Sequence, residues 1–293
     1  MHAVTGFQND AFFIHAHPLR PVTSLNPVKS SRKNPSFFTR SIALASLLAL
    51  SAGCAGAQTA LPDAPQPQTD ATIRNTPRNI LHDQAAIWTS PIHFRANDLE
   101  WFVPFGAVTG LAIATDQNAM THVVSTNPSF NQKNVDVSNA MIGGFIAAPI
   151  GLYGLGHFKQ SPHAREAGIL SAEAMLDGVV VEQGMKLMFW QERPGVDNSR
   201  GRFFQSSAGV DSAFPSSHSV IAWAAAAELA GEYPSRWTQL FLYSAATGVS
   251  LTRVLSQEHF PSDVVVGSAA GWLVGHYVYR KHHKHSLEML DVN

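Results

Sequence analysis

The sequence predicts an all-α fold. Six stretches after Leu99 have the apolar periodicity and length typical of helices, and strand-like alternation is nowhere sustained. Glycine and proline fall mostly between these stretches, where they connect helices. With 293 residues, of which 45% are hydrophobic and 14% charged, the chain can build one sizeable helical domain. The predicted helices are residues 101–114, 137–158, 165–190, 216–231, 237–255 and 263–279.

The first 57 residues are predicted to be a targeting segment. Four basic residues precede an apolar run at residues 42–50, and Ala55-Gly56-Ala57 then supplies the small residues that a signal peptidase accepts. The alternative is lipidation of Cys54, because Leu50-Ser51-Ala52-Gly53-Cys54 resembles a lipoprotein box with Ser51 where an aliphatic residue is usual. Either processing event predicts export to the periplasm of a Gram-negative cell.

Residues 58–78 are predicted to be a flexible linker. They are rich in Pro, Ala, Gln, Asp and Thr and contain almost no large apolar side chains. Structure is expected from residue 79, so the helical domain spans residues 79–285. Its first part, residues 80–88, is a short amphipathic stretch in which Trp88 is expected to be a core residue rather than an interfacial anchor.

The last predicted helix carries glycine at every fourth position. Gly267, Gly271 and Gly275 form a stripe without side chains, which lets a neighbouring helix approach closely. Four-residue glycine spacing occurs in membrane and soluble helices alike. The stripe therefore predicts tight helix packing and does not decide whether the domain lies in a membrane.

Membrane attachment has two open arrangements. Residues 137–158 are long and apolar enough to cross a bilayer, residues 264–279 are borderline, and residues 101–114 are too short. If the leader were removed in the periplasm and all six helices crossed, the loops with the candidate site residues would face the cytoplasm. The domain is therefore expected to face the periplasm, either attached peripherally to the inner membrane or integral with one helix not crossing. A net charge of -1 gives no reason to expect a nucleic-acid partner.

Two cations meet where the third predicted helix ends. Lys186 lies near that end, and Pro194 disfavours helical geometry at Arg193, so Arg193 is expected at the exit from the helix. Both side chains would then point into one loop. The alternative for Lys186 alone is an ordinary surface ion pair with Glu182 at i, i+4 spacing.

The second candidate segment is Pro215-Ser216-Ser217-His218. An apolar run follows it, which places it in the first turn of the fourth predicted helix. Unpaired backbone N–H groups and the positive end of the helix dipole favour an anion there. The alternative is a serine N-cap beside an incidental histidine.

The third candidate segment lies between the fifth and sixth predicted helices. It contains Arg253, then His259 and Asp263, and Pro261 keeps His259 off the regular helix. A carboxylate beside an imidazole can fix its tautomer and leave the other ring nitrogen free as a nucleophile. The alternative is a capping residue, Ser262 or Asp263, next to a loop histidine.

Together, in this order and at these spacings, the three segments resemble the signature of the type 2 phosphatidic acid phosphatase (PAP2) and vanadium haloperoxidase superfamily. That signature is Lys, six residues, Arg-Pro; then Pro-Ser-Gly-His; then Ser-Arg, five residues, His, three residues, Asp. The resemblance covers residues 137–279 and implies a six-helix bundle of the PAP2/haloperoxidase type. Ser217 stands where the family has glycine, and Thr252 stands where it has serine.

The resemblance implies a role for each residue that matches the signature. His259 would attack phosphorus to form a phosphohistidine, Asp263 would orient it, and His218 would protonate the leaving oxygen and then activate water. No cofactor and no metal are implied; vanadate would act as an inhibitor. The residues that would hold the phosphoryl oxygens are Lys186, Arg193, Ser216, Ser217 and Arg253.

The predicted function is hydrolysis of a phosphomonoester or diphosphate. The substrate is expected to be a lipid such as phosphatidate or a polyprenyl diphosphate, or a small phosphoester, because apolar helices surround the site. Two alternatives are a vanadium-dependent haloperoxidase, with vanadate as cofactor in the same residues, and a non-catalytic envelope protein that keeps the fold. His282, His283 and His285 are predicted to be solvated in a basic tail rather than to bind a metal.

Overall fold

The computed structural model describes residues 71–93 and 95–288, except for the side chains of residues 210 and 283–288. This part of the chain is mostly helical and contains no strand, which confirms the all-α prediction. It has seven α-helices where six were predicted. They are α1 (Thr76–Thr89), α2 (Leu99–Asn118), α3 (Pro128–Phe158), α4 (Pro162–Phe189), α5 (Ser217–Glu232), α6 (Arg236–Leu255) and α7 (Pro261–Glu288).

The additional helix is α1, which covers the predicted amphipathic stretch and begins at Thr76, inside the predicted linker. A proline in its first turn suits that position, because the N–H that proline lacks has no intrahelical partner there. The ring of Trp88 lies against Gly184 of α4, where a Cβ would come within 2.7 Å of it. Trp88 is nevertheless 42% exposed, so it covers α4 from the surface rather than filling the core. The predicted leader, with Cys54 and Ala57, lies outside the described residues.

Helix α5 is the centre of the bundle and packs against α4, α6 and α7. Six of its sixteen residues are buried alanines, so neighbouring helices come close to its backbone. The closest neighbour is α7: a Cβ at Gly267, Gly271 or Gly275 would collide with backbone atoms of α5. The predicted close approach along the glycine stripe is confirmed, and it fixes the start of α7 beside the start of α5.

Two helices are strongly apolar on their exposed surface. Among the described helices, α3 alone is long and apolar enough to cross a membrane, and one third of its most apolar window is buried. Helix α2 does not meet this test of length and composition, but it exposes eight large apolar side chains. These are Leu99, Trp101, Phe102, Val103, Phe105, Val108, Leu111 and Ile113.

Candidate active site

Lys186 lies in the last turn of α4 and is only 2% exposed. Its Nζ donates to the carbonyl oxygen of Ser212 at 2.5 Å and pairs with Glu182 Oε1 at 3.3 Å. The ion pair considered in the sequence therefore exists, but it is buried rather than on the surface. Burial lowers the pKa of Lys186, while the charge of Glu182 raises it.

Arg193 lies in the loop after α4, as predicted, because the helix ends at Phe189 and Trp190 adopts a left-handed conformation. Its guanidinium meets that of Arg253, from the last turn of α6, at a shared carboxylate. Glu258 Oε2 accepts from Arg193 Nη1 at 2.9 Å and from Arg253 Nη2 at 3.4 Å. Glu258 thus holds two cations together at the mouth of the site.

The start of α5 presents the second candidate segment. Ser216 occupies the N-cap position, but its hydroxyl makes no capping bond and is buried without a hydrogen-bond partner. Ser217, in the first turn, donates its hydroxyl to Glu182 Oε1 at 2.6 Å. His218 Nε2 lies 3.1 Å from Asn139 Oδ1 of α3. The first N–H groups of a helix have no intrahelical partner, so this turn has donors available for an anion.

His259 lies in the loop between α6 and α7 and is buried with Asp263. The Nδ1 of His259 is 3.3 Å from Asp263 Oδ2, and that same oxygen accepts the backbone N–H of Phe260 at 2.8 Å. Because Oδ2 acts as an acceptor, Nδ1 must carry the proton and Nε2 is left with its lone pair. Asp263 also fastens the start of α7, so the carboxylate both caps and orients.

Both histidines are held neutral by their surroundings. Burial lowers the pKa of His259 well below its usual value, and the charges of Arg253, Arg193 and Lys186 lower it further. The same causes, in the same order, lower the pKa of His218 to about 4. Burial raises the pKa of Asp263. The positive charges of Lys186, Arg193 and Arg253 therefore favour the neutral form of both imidazoles.

Backbone contacts lock the pieces of this site together. The N–H of Ser216 donates to the carbonyl of Asp263 at 3.1 Å, which joins the start of α5 to the start of α7. The structure thus brings together all eight residues predicted for the site. They are Lys186, Arg193, Ser216, Ser217, His218, Arg253, His259 and Asp263.

Three participants were missed in the sequence, and a fourth, Glu182, was considered only as the ion-pair partner of Lys186. Glu258 bridges the two arginines, Asn139 contacts His218, Ser138 Oγ accepts from Arg253 Nη1 at 3.3 Å, and Glu182 joins Lys186 to Ser217. Glu258 directly precedes His259 in the chain, so its place next to the predicted site could have been recognised from the sequence. Asn139 and Ser138 belong to α3, which lies far from the three motif segments in the chain, so no sequence spacing links them to the site.

The departure from the family signature at Thr252 has a simple structural account. Its hydroxyl donates to the carbonyls of Gly248 and Val249 at 2.8 and 2.9 Å, one turn back on its own helix. It therefore makes no contact with the cations or histidines of the site.

The exposed apolar helix α2 ends beside this site. Asp116, near its C-terminal end, accepts from the Ser262 backbone N–H at 3.1 Å and from the Ser262 hydroxyl at 2.5 Å. Ser262 lies between His259 and Asp263 in the chain. The apolar surface of α2 and the histidine loop are consequently held together at one end of the bundle.

A comparison of the chain with protein-family models gives a match. The model of the PAP2 superfamily matches residues 167–287, the stretch that contains every predicted site residue. Over these residues the chain is similar to the PAP2 superfamily, and Lys186, His218 and His259 all lie within the matched stretch.

A curated relative was found over a longer stretch. The chain is 28% identical over 185 residues to a lipid A 1-phosphatase of Porphyromonas gingivalis. The match covers 62% of this chain and 38% of that relative, so it spans well under half of the relative's length. No solved structure matches the chain.

Proposed function

We propose that this protein is a metal-independent phosphatase that hydrolyses a phosphomonoester or diphosphate of a lipid through a phosphohistidine intermediate. One observation carries the proposal. At the centre of a site with three cations, two buried donors, Arg253 Nε and Ser216 Oγ, have no hydrogen-bond partner. Buried donors left unpaired cost free energy, and a bound phosphoryl group has the oxygens that would accept from both.

His259 is the proposed nucleophile. Its neutral ring, with the proton on Nδ1 held by Asp263, presents the Nε2 lone pair to phosphorus. Attack forms the N–P bond of a phosphohistidine as the P–O bond to the alcohol or phosphate leaving group breaks. Lys186, Arg193 and Arg253 neutralise the charge on the equatorial oxygens, which is the work Mg²⁺ does in many other phosphoryl-transfer enzymes.

His218 is the proposed acid and base. A bound phosphate dianion offsets the cations that lower the pKa of His218, so substrate binding raises that pKa and lets the ring carry a proton. The proton goes to the leaving oxygen in the first step. In the second step His218 takes a proton from the water that attacks the phosphohistidine, and inorganic phosphate is released.

A lipid substrate is favoured by two features. The relative's name states that it dephosphorylates lipid A, and the apolar face of α2 is joined to the histidine loop through Asp116 and Ser262. A membrane-borne substrate could therefore reach the cations without leaving an apolar surface. Association with a membrane through α2 and α3, on the periplasmic face of the inner membrane, is part of this proposal.

The test is phosphate release from a panel of phosphatidate, undecaprenyl diphosphate, lipid A and a soluble aryl phosphate. We expect turnover of at least one lipid phosphate, inhibition by orthovanadate, and unchanged initial rates in EDTA. Rapid quenching under alkaline conditions should trap a labelled phosphohistidine, because that linkage survives base.

His259→Ala should abolish both turnover and trapping. His276→Ala is the matched control, since His276 stacks on Trp272 away from the site. Turnover that EDTA removes and Mg²⁺ restores would contradict the metal-independent mechanism. Bromide oxidation that requires added vanadate, without phosphate release, would assign the haloperoxidase function instead.

A further inference from the structure

A second cluster of titratable side chains lies between α1, α4 and α7, away from the phosphate site. Asp83 of α1 and Glu173 of α4 are fully buried, and His282 of α7 is 10% exposed. His282 Nε2 lies 3.1 Å from Asp83 Oδ2 and 3.1 Å from Glu173 Oε1. All three of these ligand atoms lie within 4.8 Å of one another. We call these residues the α1–α4–α7 cluster.

Two carboxylate oxygens beside this cluster are buried without a hydrogen bond. Glu173 Oε1 contacts His282 but accepts no well-aligned hydrogen bond, and Asp177 Oδ2 accepts none at all. Asp177 is one turn further along α4 and fully buried, with its other oxygen held by Gln84 Nε2 at 2.8 Å. The buried carboxylates of Asp83, Glu173 and Asp177 thus lie on neighbouring helix turns with fewer hydrogen-bond donors than they have oxygens.

The outer oxygens of the cluster are held by neighbouring donors. Asp83 Oδ1 accepts from Lys281 Nζ and lies 3.3 Å from the donating hydroxyl of Tyr277. Glu173 Oε2 accepts from Asn79 Nδ2 at 3.4 Å. Each carboxylate therefore uses one oxygen for a neighbour and directs the other inward, which is how outer-shell groups orient the ligands of a metal.

The geometry points to a divalent transition-metal site, best suited to Zn²⁺, formed by Asp83, Glu173 and His282, with a water molecule as the fourth ligand. With bonds of about 2.0 Å, a tetrahedral zinc site places its ligand atoms about 3.3 Å apart. The two 3.1 Å separations at His282 Nε2 are close to that value. One imidazole among carboxylates suits Zn²⁺ or Mn²⁺, whereas Ca²⁺ and Mg²⁺ prefer sites built from oxygen alone.

The site would have a structural role. Glu173 and Lys186 are about 20 Å apart along α4, at a rise of about 1.5 Å per residue, so the metal would not touch the phosphate site. It would instead fasten α1 to the bundle through one ligand from each of three helices. The inference is independent of the proposed phosphatase activity, and the prediction that His282 is solvated is wrong, because this side chain faces buried carboxylates.

The experiment is zinc binding by the full chain after removal of metal with EDTA. Calorimetric titration with Zn²⁺, and metal analysis after desalting, should give one tightly bound equivalent per chain. At a hundredfold excess over Kd, the midpoint of thermal unfolding should rise by about 5–10 °C. EDTA should reverse this rise while leaving the initial rate of phosphate release unchanged at temperatures well below unfolding. Absence of saturable binding overturns the inference.

Variants locate the site. His282→Ala and Asp83→Asn should lose the bound equivalent, whereas His283→Ala/His285→Ala should keep it. The matched control is His163→Ala, which removes a histidine that faces another buried carboxylate, Glu232, at 3.4 Å. Equal zinc binding by His282→Ala and the wild type would overturn the proposal, because the metal would then bind elsewhere.

A spectroscopic measurement on the wild type does not depend on the variants folding. X-ray absorption of the zinc-loaded protein should show only nitrogen and oxygen ligands at about 2.0–2.2 Å, with the multiple-scattering signature of one imidazole. Several imidazoles around the metal would point to other histidines and refute the assignment.

Discussion

Helix α4 passes through two histidine sites of opposite character. At its C-terminal end, Lys186 and two arginines surround His218 and His259. In its middle, Glu173 and Asp177 face His282. Burial lowers the pKa of the histidine in both places. At His282, however, the contacts with the carboxylates of Asp83 and Glu173 outweigh burial and raise the pKa to about 9.

Burial lowers the histidine pKa in both sites, so the neighbouring charges make the difference between them. Among cations, an imidazole stays neutral and offers a lone pair to an electrophile. Among carboxylates, an imidazole carries a proton, or it releases that proton when its nitrogen binds a metal. One helix thus borders a cation-rich histidine site at one end and a carboxylate-rich histidine site in its middle.

The largest expected effect is at His259. His259→Ala should lower kcat for phosphate release by about 10⁴-fold or more, because loss of a nucleophile removes the covalent route entirely. Steady-state assays on a soluble aryl phosphate would measure this, with His276→Ala retaining the wild-type rate. A variant that kept a tenth of the wild-type kcat would remove His259 from the role of nucleophile.

His218→Asn should lower kcat by about 10²–10⁴-fold and change the pH profile, because proton transfer contributes that much. With a pKa of about 4, His218 is mostly neutral in the free protein above that pH. Since the first step needs its proton, kcat/KM of the wild type should fall as pH rises from 5 to 8. The variant should lose the part of this fall that His218 causes, and an unchanged profile would refute the acid role.

Glu258 offers a smaller and opposite effect. Its carboxylate occupies donors of Arg193 and Arg253 that an oxyanion would otherwise use. Glu258→Gln should therefore tighten inhibition by orthovanadate about tenfold, since a neutral amide competes less for the guanidinium groups. Inhibition constants at fixed pH and ionic strength provide the measurement. Weaker inhibition would mean that Glu258 positions the arginines instead of competing for them.

The cation-rich site should also make the fold acid-sensitive. The folded-state pKa of His218 lies below the unfolded value of 6.5, so the unfolded chain binds more protons as the pH falls. The stability from this group is present above pH 6.5 and is lost as the pH falls through about 4, an effect of about 1–2 kcal/mol after allowance for solvent screening. Denaturant titrations at pH 7 and 4.5 should show a smaller loss of unfolding free energy in His218→Asn than in the wild type.

Much of the phosphate site follows from local sequence signals. Pro194 ends the helix before Arg193, the apolar run after His218 starts α5, and the glycines of α7 bring His259 next to that start. These signals act over a few residues, so they can be recognised in one sequence.

Other contacts depend on tertiary pairings that leave no spacing pattern. Asn139 and His218 are 79 positions apart, and Asp83 and His282 are 199 apart. The prediction for His282 failed because α7 continues past residue 279 and brings Lys281 and His282 against buried carboxylates. The sequence predicts only a short amphipathic stretch in place of α1, because this helix is stabilised by its packing against α4 rather than by its own length.

The smallest expected effect tests the boundary between the two charge environments, at Ser217. Its hydroxyl and Lys186 share Glu182 Oε1, the last carboxylate of α4 before the cations begin. Ser217→Ala removes one hydrogen bond to a buried acid, which should cost about 1–3 kcal/mol and lower the unfolding midpoint by about 2–10 °C. The backbone N–H of residue 217 stays at the start of α5, so kcat should change less than about threefold. Ser217→Gly, which has the family's usual residue, should match the alanine variant in kcat. A more than tenfold loss in both would mean that the hydroxyl itself contacts the phosphoryl group, and that Glu182 orients it toward substrate rather than separating the cations from the acids of α4.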